Sequence, residues 1–186
     1  MRTLGHNPDE IVLRRPDLDC LPQPSLPPGY TLRAYRDGDQ EAWGDLYAAA
    51  FAELQGMHEL PRNAFLDSPL WRPDRVRFAC ADDVPVACTV AWEDAALWGP
   101  RVGQVHWVAT HPAYLRLGLA RACVVAALDW MRGHYDSAAL ITQMYRVPAI
   151  RLYVDLGFVP SMEAFADMPA RWAKVGLNQG RKAPLR

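Results

Sequence analysis

Several absences narrow the chain before any motif does. The 186 residues contain no C-x-x-C pair, and Cys20, Cys80, Cys88 and Cys123 show no metal-ligand spacing. No metal centre is therefore expected. Cys80, Cys88 and Cys123 lie in apolar runs and read as small buried thiols. No apolar run approaches the ~18 residues that a bilayer-spanning helix needs, so no membrane partner is expected. The opening MRTLGHNPDE lacks the apolar stretch of a secretory leader. With the cysteine usage, this makes a reducing, cytoplasmic setting the expectation. Charge of one sign is also missing: 20 Lys and Arg face 21 Asp and Glu, for a formal net charge of −1. That balance argues against nucleic acid or an anionic surface as partner. Any anion bound here must be gripped locally.

What is present is an ordinary globular composition, 51% hydrophobic and 22% charged, with seven tryptophans. The length suits one domain with a real core. Residues 1–29 read as an N-terminal extension, in which IVLRR can add one strand before the proline-rich PDLDCLPQPSLPPG connector. YTLRAY alternates as a strand. DGDQEAWGDLYAAAFAEL then places Trp43, Leu46, Tyr47, Ala50, Phe51 and Leu54 on one helical face, with Asp37 or Asp39 available as its cap. Residues 55–75 carry three prolines and read as a short helix or loop able to cover a pocket.

RVRFACA and PVACTVAWE form strands joined by the turn DDV, and VGQVHWVAT forms a third strand after DAALWGP. A turn and a helix near Leu117 to Met131 follow, apolar almost all round. SAALITQM is a short strand. VPAIRLYVDLGF is a helix that tolerates Pro148 in its first turn and stops at Gly157. A last strand starts at Phe158, and residues 171–186 read as a C-terminal tail. The order β-α-(α)-β-β-β-α-β-α-β implies a mixed sheet with helices packed on it, an α/β or α+β fold, with the main domain at residues 30–170.

The stretch HPAYLRLGLARACVVAAL, residues 111–128, carries the strongest chemical signal. A strand, a short turn and a helix start leave several backbone N–H groups without helical partners, converging on one spot. The helix dipole adds positive potential, so a phosphate or pyrophosphate suits the place. Gly118 lets backbone approach an anion without an intervening Cβ. Ala120 keeps the next position small, and Arg116 and Arg121 can add charge at the rim. A glycine used only for tight helix–sheet packing is the competing reading of this turn.

These residues resemble the acetyl-CoA-binding motif of the GCN5-related N-acetyltransferases (GNAT family), Q/R-x-x-G-x-G/A. Leu115 falls on the Q/R position, Gly118 on the glycine and Ala120 on the G/A position. Residues 146–158 are similar to the family's N-x-x-A-x-x-L-Y-x-x-L-G-F segment, with Ala149, Leu152, Tyr153, Leu156, Gly157 and Phe158 in place and Arg146 where asparagine is usual. The resemblance covers roughly residues 30 to 165. It implies a GNAT-type mixed, mostly antiparallel sheet flanked by helices, with acetyl-CoA as co-substrate. It also implies an N-acetyltransferase that moves an acetyl group to a primary amine by direct attack in a ternary complex. Val108, Ala109 and Thr110 are expected beside the pantetheine arm. Leu115, Arg116, Leu117, Gly118, Leu119, Ala120 and Arg121 are expected around the pyrophosphate, and Ala149 and Tyr153 also toward the cofactor.

Direct transfer needs a base, because an alkylamine is protonated at neutral pH, and an acid for the departing thiolate. Tyr153 matches the family's acidic tyrosine. For the base, Gln104, His106, Val108 and Thr110 share one face of their strand unless a bulge intervenes. Family members acting on arylalkylamines carry two histidines at the offsets of Gln104 and His106, and others a glutamate at the first. Gln104 cannot serve, so His106 leads. Glu93, Asp94, Glu53 and His58 are rivals, and His111 reads as a turn residue. Trp71, Trp92, Trp98 and Trp107 are candidates to wall an apolar acceptor site. The expected acceptor is a small-molecule or peptide amine, and dimerisation in the family allows a homodimer. The alternative is a non-catalytic acyl-CoA-binding or regulatory module on the same fold.

Overall fold

The hairpin in the middle of the chain shows how local sequence sets the architecture. Strands β3 (Val76–Ala81) and β4 (Val84–Glu93) pair antiparallel, with Ala81 opposite Val84. Only Asp82 and Asp83 lie between them, at φ +47° and +64°. Two left-handed residues make the turn whose twist matches that of paired strands, and aspartate tolerates this conformation better than most residues.

The structure is a computed structural model and describes residues 7–177. Around that hairpin run β1 (Glu10–Arg15), β2 (Tyr30–Ala34), α1 (Gln40–Ala50), α2 (Ala95–Trp98), β5 (Val102–Thr110), α3 (Leu119–Arg132), β6 (Ser137–Gln143), α4 (Val147–Asp155), β7 (Val159–Pro160) and α5 (Met168–Val175). The strands are hydrogen-bonded in the order β2-β3-β4-β5-β6-β1-β7. The β1–β6, β1–β7, β2–β3 and β3–β4 pairs are antiparallel, and β5–β6 is parallel. This is the mixed sheet with helices that the element order implied, and it is mostly antiparallel as the resemblance implied. The chain divides into two compact units, described in turn: residues 22–92 with 105–130, and the remainder.

In the first unit, α1 lays Trp43, Leu46 and Tyr47 onto a buried cluster with Phe51, Phe65, Val76, Phe78, Cys88, Val90 and Ala109. The apolar period continues to Leu54, but the helix ends at Ala50 and Leu54 is exposed. Phe51 leaves helical angles, and Leu54 N–H turns back to the Phe51 carbonyl before Gly56 at φ +72°. Asp39 does not cap α1 with its side chain. Its carboxylate instead accepts two hydrogen bonds from Arg33, at 2.6 and 2.9 Å, and the Arg36 N–H at 2.7 Å. A bidentate guanidinium outcompetes a cap.

Residues 55–75 are held down, not splayed. Phe65 stacks on Trp43 at 5.4 Å, and Gly44 on α1 lets the loop backbone in: a Cβ there would sit 2.5 Å from the His58 carbonyl oxygen.

In the second unit, β1 is paired along its length with β6 and at its end with β7, so Glu10–Arg15 is an interior strand with Ile11, Val12 and Leu13 fully buried. The unit also contains α5, which the sequence reading does not include and which runs across residue 170. Met168, Arg171, Trp172 and Val175 form its buried face, a spacing that marks a helix. Buried Arg171 donates to Asp167 at 2.8 Å and to the Asn7 and Glu10 carbonyls at 2.7 and 2.9 Å, with its guanidinium over Phe165. The expected tail beyond residue 177 lies outside the described residues.

Candidate functional site

The turn between β5 and α3 is built in steps from β5. His111 N–H is fixed by the Val86 carbonyl at 2.8 Å, and its Nδ1 accepts the Ala113 N–H at 3.2 Å. It is thus the turn residue expected. Pro112–Tyr114 make one tight helical turn, and Leu115 is extended at φ −68°, ψ 154°. Arg116 and Gly118 then adopt left-handed angles, φ +63° and +78°, before α3 begins. The Gly118 carbonyl accepts the Ala122 N–H at 3.1 Å, so the N–H groups of the first α3 turn precede the helical ladder and have no acceptor within it.

Buried Leu119 roots the helix start in a cluster with Ala79, Val86, Ala87 and Cys123. Ala120 is half-buried, and Arg116, Leu117, Gly118 and Arg121 are exposed. Nothing lies within 4 Å of where a Gly118 Cβ would stand. The glycine is therefore not there for tight packing. The backbone conformation requires it, and the space above it is open. Left-handed residues before a helix start that lacks acidic side chains in its first turn form a cradle suited to a pyrophosphate. Leu115 is 55% exposed and brings no polar group to this rim.

Upstream on β5, the exception allowed for a bulge applies to the shared face of Gln104, His106, Val108 and Thr110. Trp107 has φ +46°, which costs an aromatic residue about 1–2 kcal/mol and breaks the strand's alternation. The neighbouring rings of His106 and Trp107 both meet the α1-side cluster: His106 against Phe65 at 6.1 Å, Trp107 against Phe51 at 5.6 Å and Tyr47 at 6.0 Å. His106 is half-buried, as are Val108 and Thr110, while Ala109 is buried.

In the second unit, α4 starts after Arg146, whose Nε donates to Gln143 at 2.8 Å. Pro148 sits in the first turn and Ala149 is half-buried. Gly157 ends the helix at φ +85°, and the Phe158 N–H returns to the Tyr153 carbonyl at 3.0 Å, the closure expected of a left-handed cap. Arg15 on β1 reinforces that end by donating to the Leu156 carbonyl and, at 2.5 Å, to the Asp19 carbonyl. Tyr153 is 6% exposed and packs on Phe158 at 6.0 Å. Burial holds its phenol well above its ordinary pKa, with the Arg146 charge opposing, so the hydroxyl remains a proton donor at working pH.

The rival bases have other employment. The Tyr135 hydroxyl donates to Glu93 at 2.7 Å, and Asp94 caps α2 through the Leu97 N–H at 3.0 Å. His58 lies among Glu59, Asp45 and Glu41 at 3.4, 3.3 and 3.5 Å. The Glu59 hydrogen bond chiefly raises its pKa, favouring the charged form that cannot accept a proton. Glu53 is exposed. Trp98 belongs to a core cluster with Val12 and Ala139, whereas Trp71, Trp92 and Trp107 are half-buried against the α1 cluster.

Three side chains that carry no functional role in the sequence reading engage carbonyls at the β5 kink: Tyr47, Cys88 and Thr89. Tyr47's place on the apolar face of α1 and the burial of Cys88 are legible beforehand. Among the described residues no group of three or more His, Cys, Asp or Glu could hold a metal ion, and no helix is long and apolar enough to cross a membrane.

Known proteins similar to this chain point to one family. The model of the acetyltransferase (GNAT) family matches residues 32–158. A mycothiol acetyltransferase of Thermobispora bispora is 33% identical in an alignment of 155 positions that covers 78% of this chain and 52% of that protein. The chain thus spans about half the length of the curated relatives it matches. A GCN5-related N-acetyltransferase from Sphaerobacter thermophilus superposes with a TM-score of 0.64 at 23% identity, over 82% of this chain and 48% of that one. The NatC complex bound to Gag peptide and CoA gives 0.55 at 20% identity, over 70% and 84%. The likeness to both structures is one of fold.

Proposed function

Because this chain belongs to the GNAT acetyltransferase family, we propose that it moves an acetyl group from acetyl-CoA to a primary amine by direct attack in a ternary complex. The observation that carries the reading is the open backbone cradle at Gly118. The N–H groups from Gly118 to Arg121 would hold the pyrophosphate, with Arg116 and Arg121 adding charge from the rim and Leu115 and Leu117 flanking the turn. Val108, Ala109 and Thr110 would run beside the pantetheine arm, and Ala149 and Tyr153 would also face the cofactor. Bound acetyl-CoA supplies the activated acetyl thioester.

The chain's own residues then manage protons. The His106 imidazole takes a proton from the attacking amine, which leaves the nitrogen lone pair free to form the C–N bond. As the C–S bond breaks, the Tyr153 hydroxyl donates to the sulfur. Its raised pKa fits a group that must arrive protonated. The acceptor is a small-molecule or peptide amine; the named mycothiol acetyltransferase relatives support trying small molecules first.

Steady-state rates test the roles. Tyr153→Phe and His106→Gln should each lower kcat about a hundredfold or more with CoA affinity retained. Wild-type turnover in either removes that residue's role. Saturable CoA binding without thiol release for any amine would point instead to the non-catalytic acyl-CoA-binding module.

A further inference from the structure

Two consecutive carbonyls in the middle of β5 are engaged by side chains from other elements. The Thr89 hydroxyl on β4 lies 3.5 Å from the His106 carbonyl. The Trp107 carbonyl accepts the Tyr47 hydroxyl of α1 at 3.1 Å and the Cys88 thiol of β4 at 3.7 Å. Between these bonds sits the left-handed φ of Trp107. Such a conformation in an aromatic residue persists only where its surroundings hold it.

Tyr47 is built to hold it. The residue has no exposed surface and is packed by Trp43, Phe51 and Trp107 at 5.7, 5.9 and 6.0 Å. Burial keeps its phenol far above the ordinary pKa, so it donates at any working pH. Without that donor Trp107 could return to extended angles. Restored alternation would then send either His106 or Trp107 to the opposite face of the sheet.

We propose that Tyr47 is a positioning residue of the acetyl-transfer reaction: its hydroxyl clamps the Trp107 carbonyl and so holds the kink that sets His106 against Phe65. The inference rests on His106 acting as the base. Tyr47 has no exposed surface to offer an acceptor or cofactor, so the role assigned to it runs through the strand.

The test is a double-mutant cycle on kcat and KM, with thiol release as the assay. Tyr47→Phe keeps the ring and removes only the hydroxyl. It should lower kcat about tenfold to a hundredfold, the scale of a misplaced catalytic group, and leave KM for acetyl-CoA within about twofold. In a His106→Gln background the same change should add less than about twofold, because the clamp then has nothing to aim. A purely structural tyrosine would lower melting temperature and leave kcat per folded molecule unchanged. Full kcat in Tyr47→Phe, or the same proportional loss in both backgrounds, overturns the proposal. Wild-type kcat in His106→Gln alone removes the base assignment and this inference with it. An impaired His106→Gln beside an unimpaired Tyr47→Phe removes the clamp and spares the base. If Tyr47→Phe does not fold, judged by far-UV circular dichroism, Cys88→Ala, which removes the other donor to the Trp107 carbonyl, is read the same way: lowered kcat at unchanged KM supports the clamp, and unchanged kcat overturns it.

Discussion

Replacing Gly118 with alanine separates a backbone cradle from a packing glycine. A Cβ at this position meets no atom within 4 Å, so the substitution carries no clash. Its cost to stability is conformational: φ is +78°, and a left-handed L-residue costs about 1–2 kcal/mol, of which stiffening the unfolded chain returns about 0.4–1. A net loss of about 1 kcal/mol corresponds to about 2–4 °C in melting temperature for a chain of this size. The effect on the cofactor should be far larger. The added methyl stands where a phosphate must approach the Gly118–Arg121 N–H groups. A hydrogen bond to a charged group is worth about 1.5–3 kcal/mol, so losing one weakens CoA binding about 10- to 150-fold. Calorimetric titration of CoA beside a thermal melt measures both quantities on one sample. An unchanged CoA affinity would refute the cradle. A melting temperature lowered by well over 10 °C would show that packing demands the glycine.

Two further outcomes follow from the same structure. Gly44→Ala forces a Cβ to within 2.5 Å of the His58 carbonyl; overpacking of about 1–3 kcal/mol should exceed the helix-propensity gain of about 1 kcal/mol and lower the melting temperature without touching CoA affinity, and a raised melting temperature would contradict it. Asp74 is pulled up by burial but held down more strongly by hydrogen bonds from Arg72 and Trp130, so its carboxyl lies below the ordinary 3.8. A depressed folded-state pKa contributes stability that is fully present above the unfolded value and fades as pH falls through the folded one. The urea-midpoint gap between wild type and Asp74→Asn should therefore be full at pH 7 and narrow by pH 3; a gap independent of pH would refute the linkage.

Local chemistry made much of this fold legible. The DDV turn, Pro148 and Gly157 around α4, and Gly118 before α3 each act through a residue's own backbone preference, and sequence displays such preferences directly. What the local pattern does not display is the partner that each side chain takes in the folded chain. Asp39 looks like a cap until Arg33 on the neighbouring strand claims it. Arg15 closes the end of α4 from 141 residues away. Trp98 looks as available for an acceptor wall as Trp92, yet it packs with Val12 and Ala139. The kink at Trp107 was the costliest gap, since a left-handed tryptophan has no sequence signature and alternation is the default for a strand. α5 was a different kind of miss, because its i, i+3, i+4, i+7 face was present in the sequence.

The most direct measurement is thiol release from acetyl-CoA by the purified protein, with small-molecule and peptide amines, beside its Gly118→Ala and His106→Gln variants. The account predicts amine-dependent release matched mole for mole by acetylated amine, lost in Gly118→Ala through KM for acetyl-CoA and in His106→Gln through kcat. Saturable CoA binding with no amine-dependent release, or release indifferent to both substitutions, would contradict it.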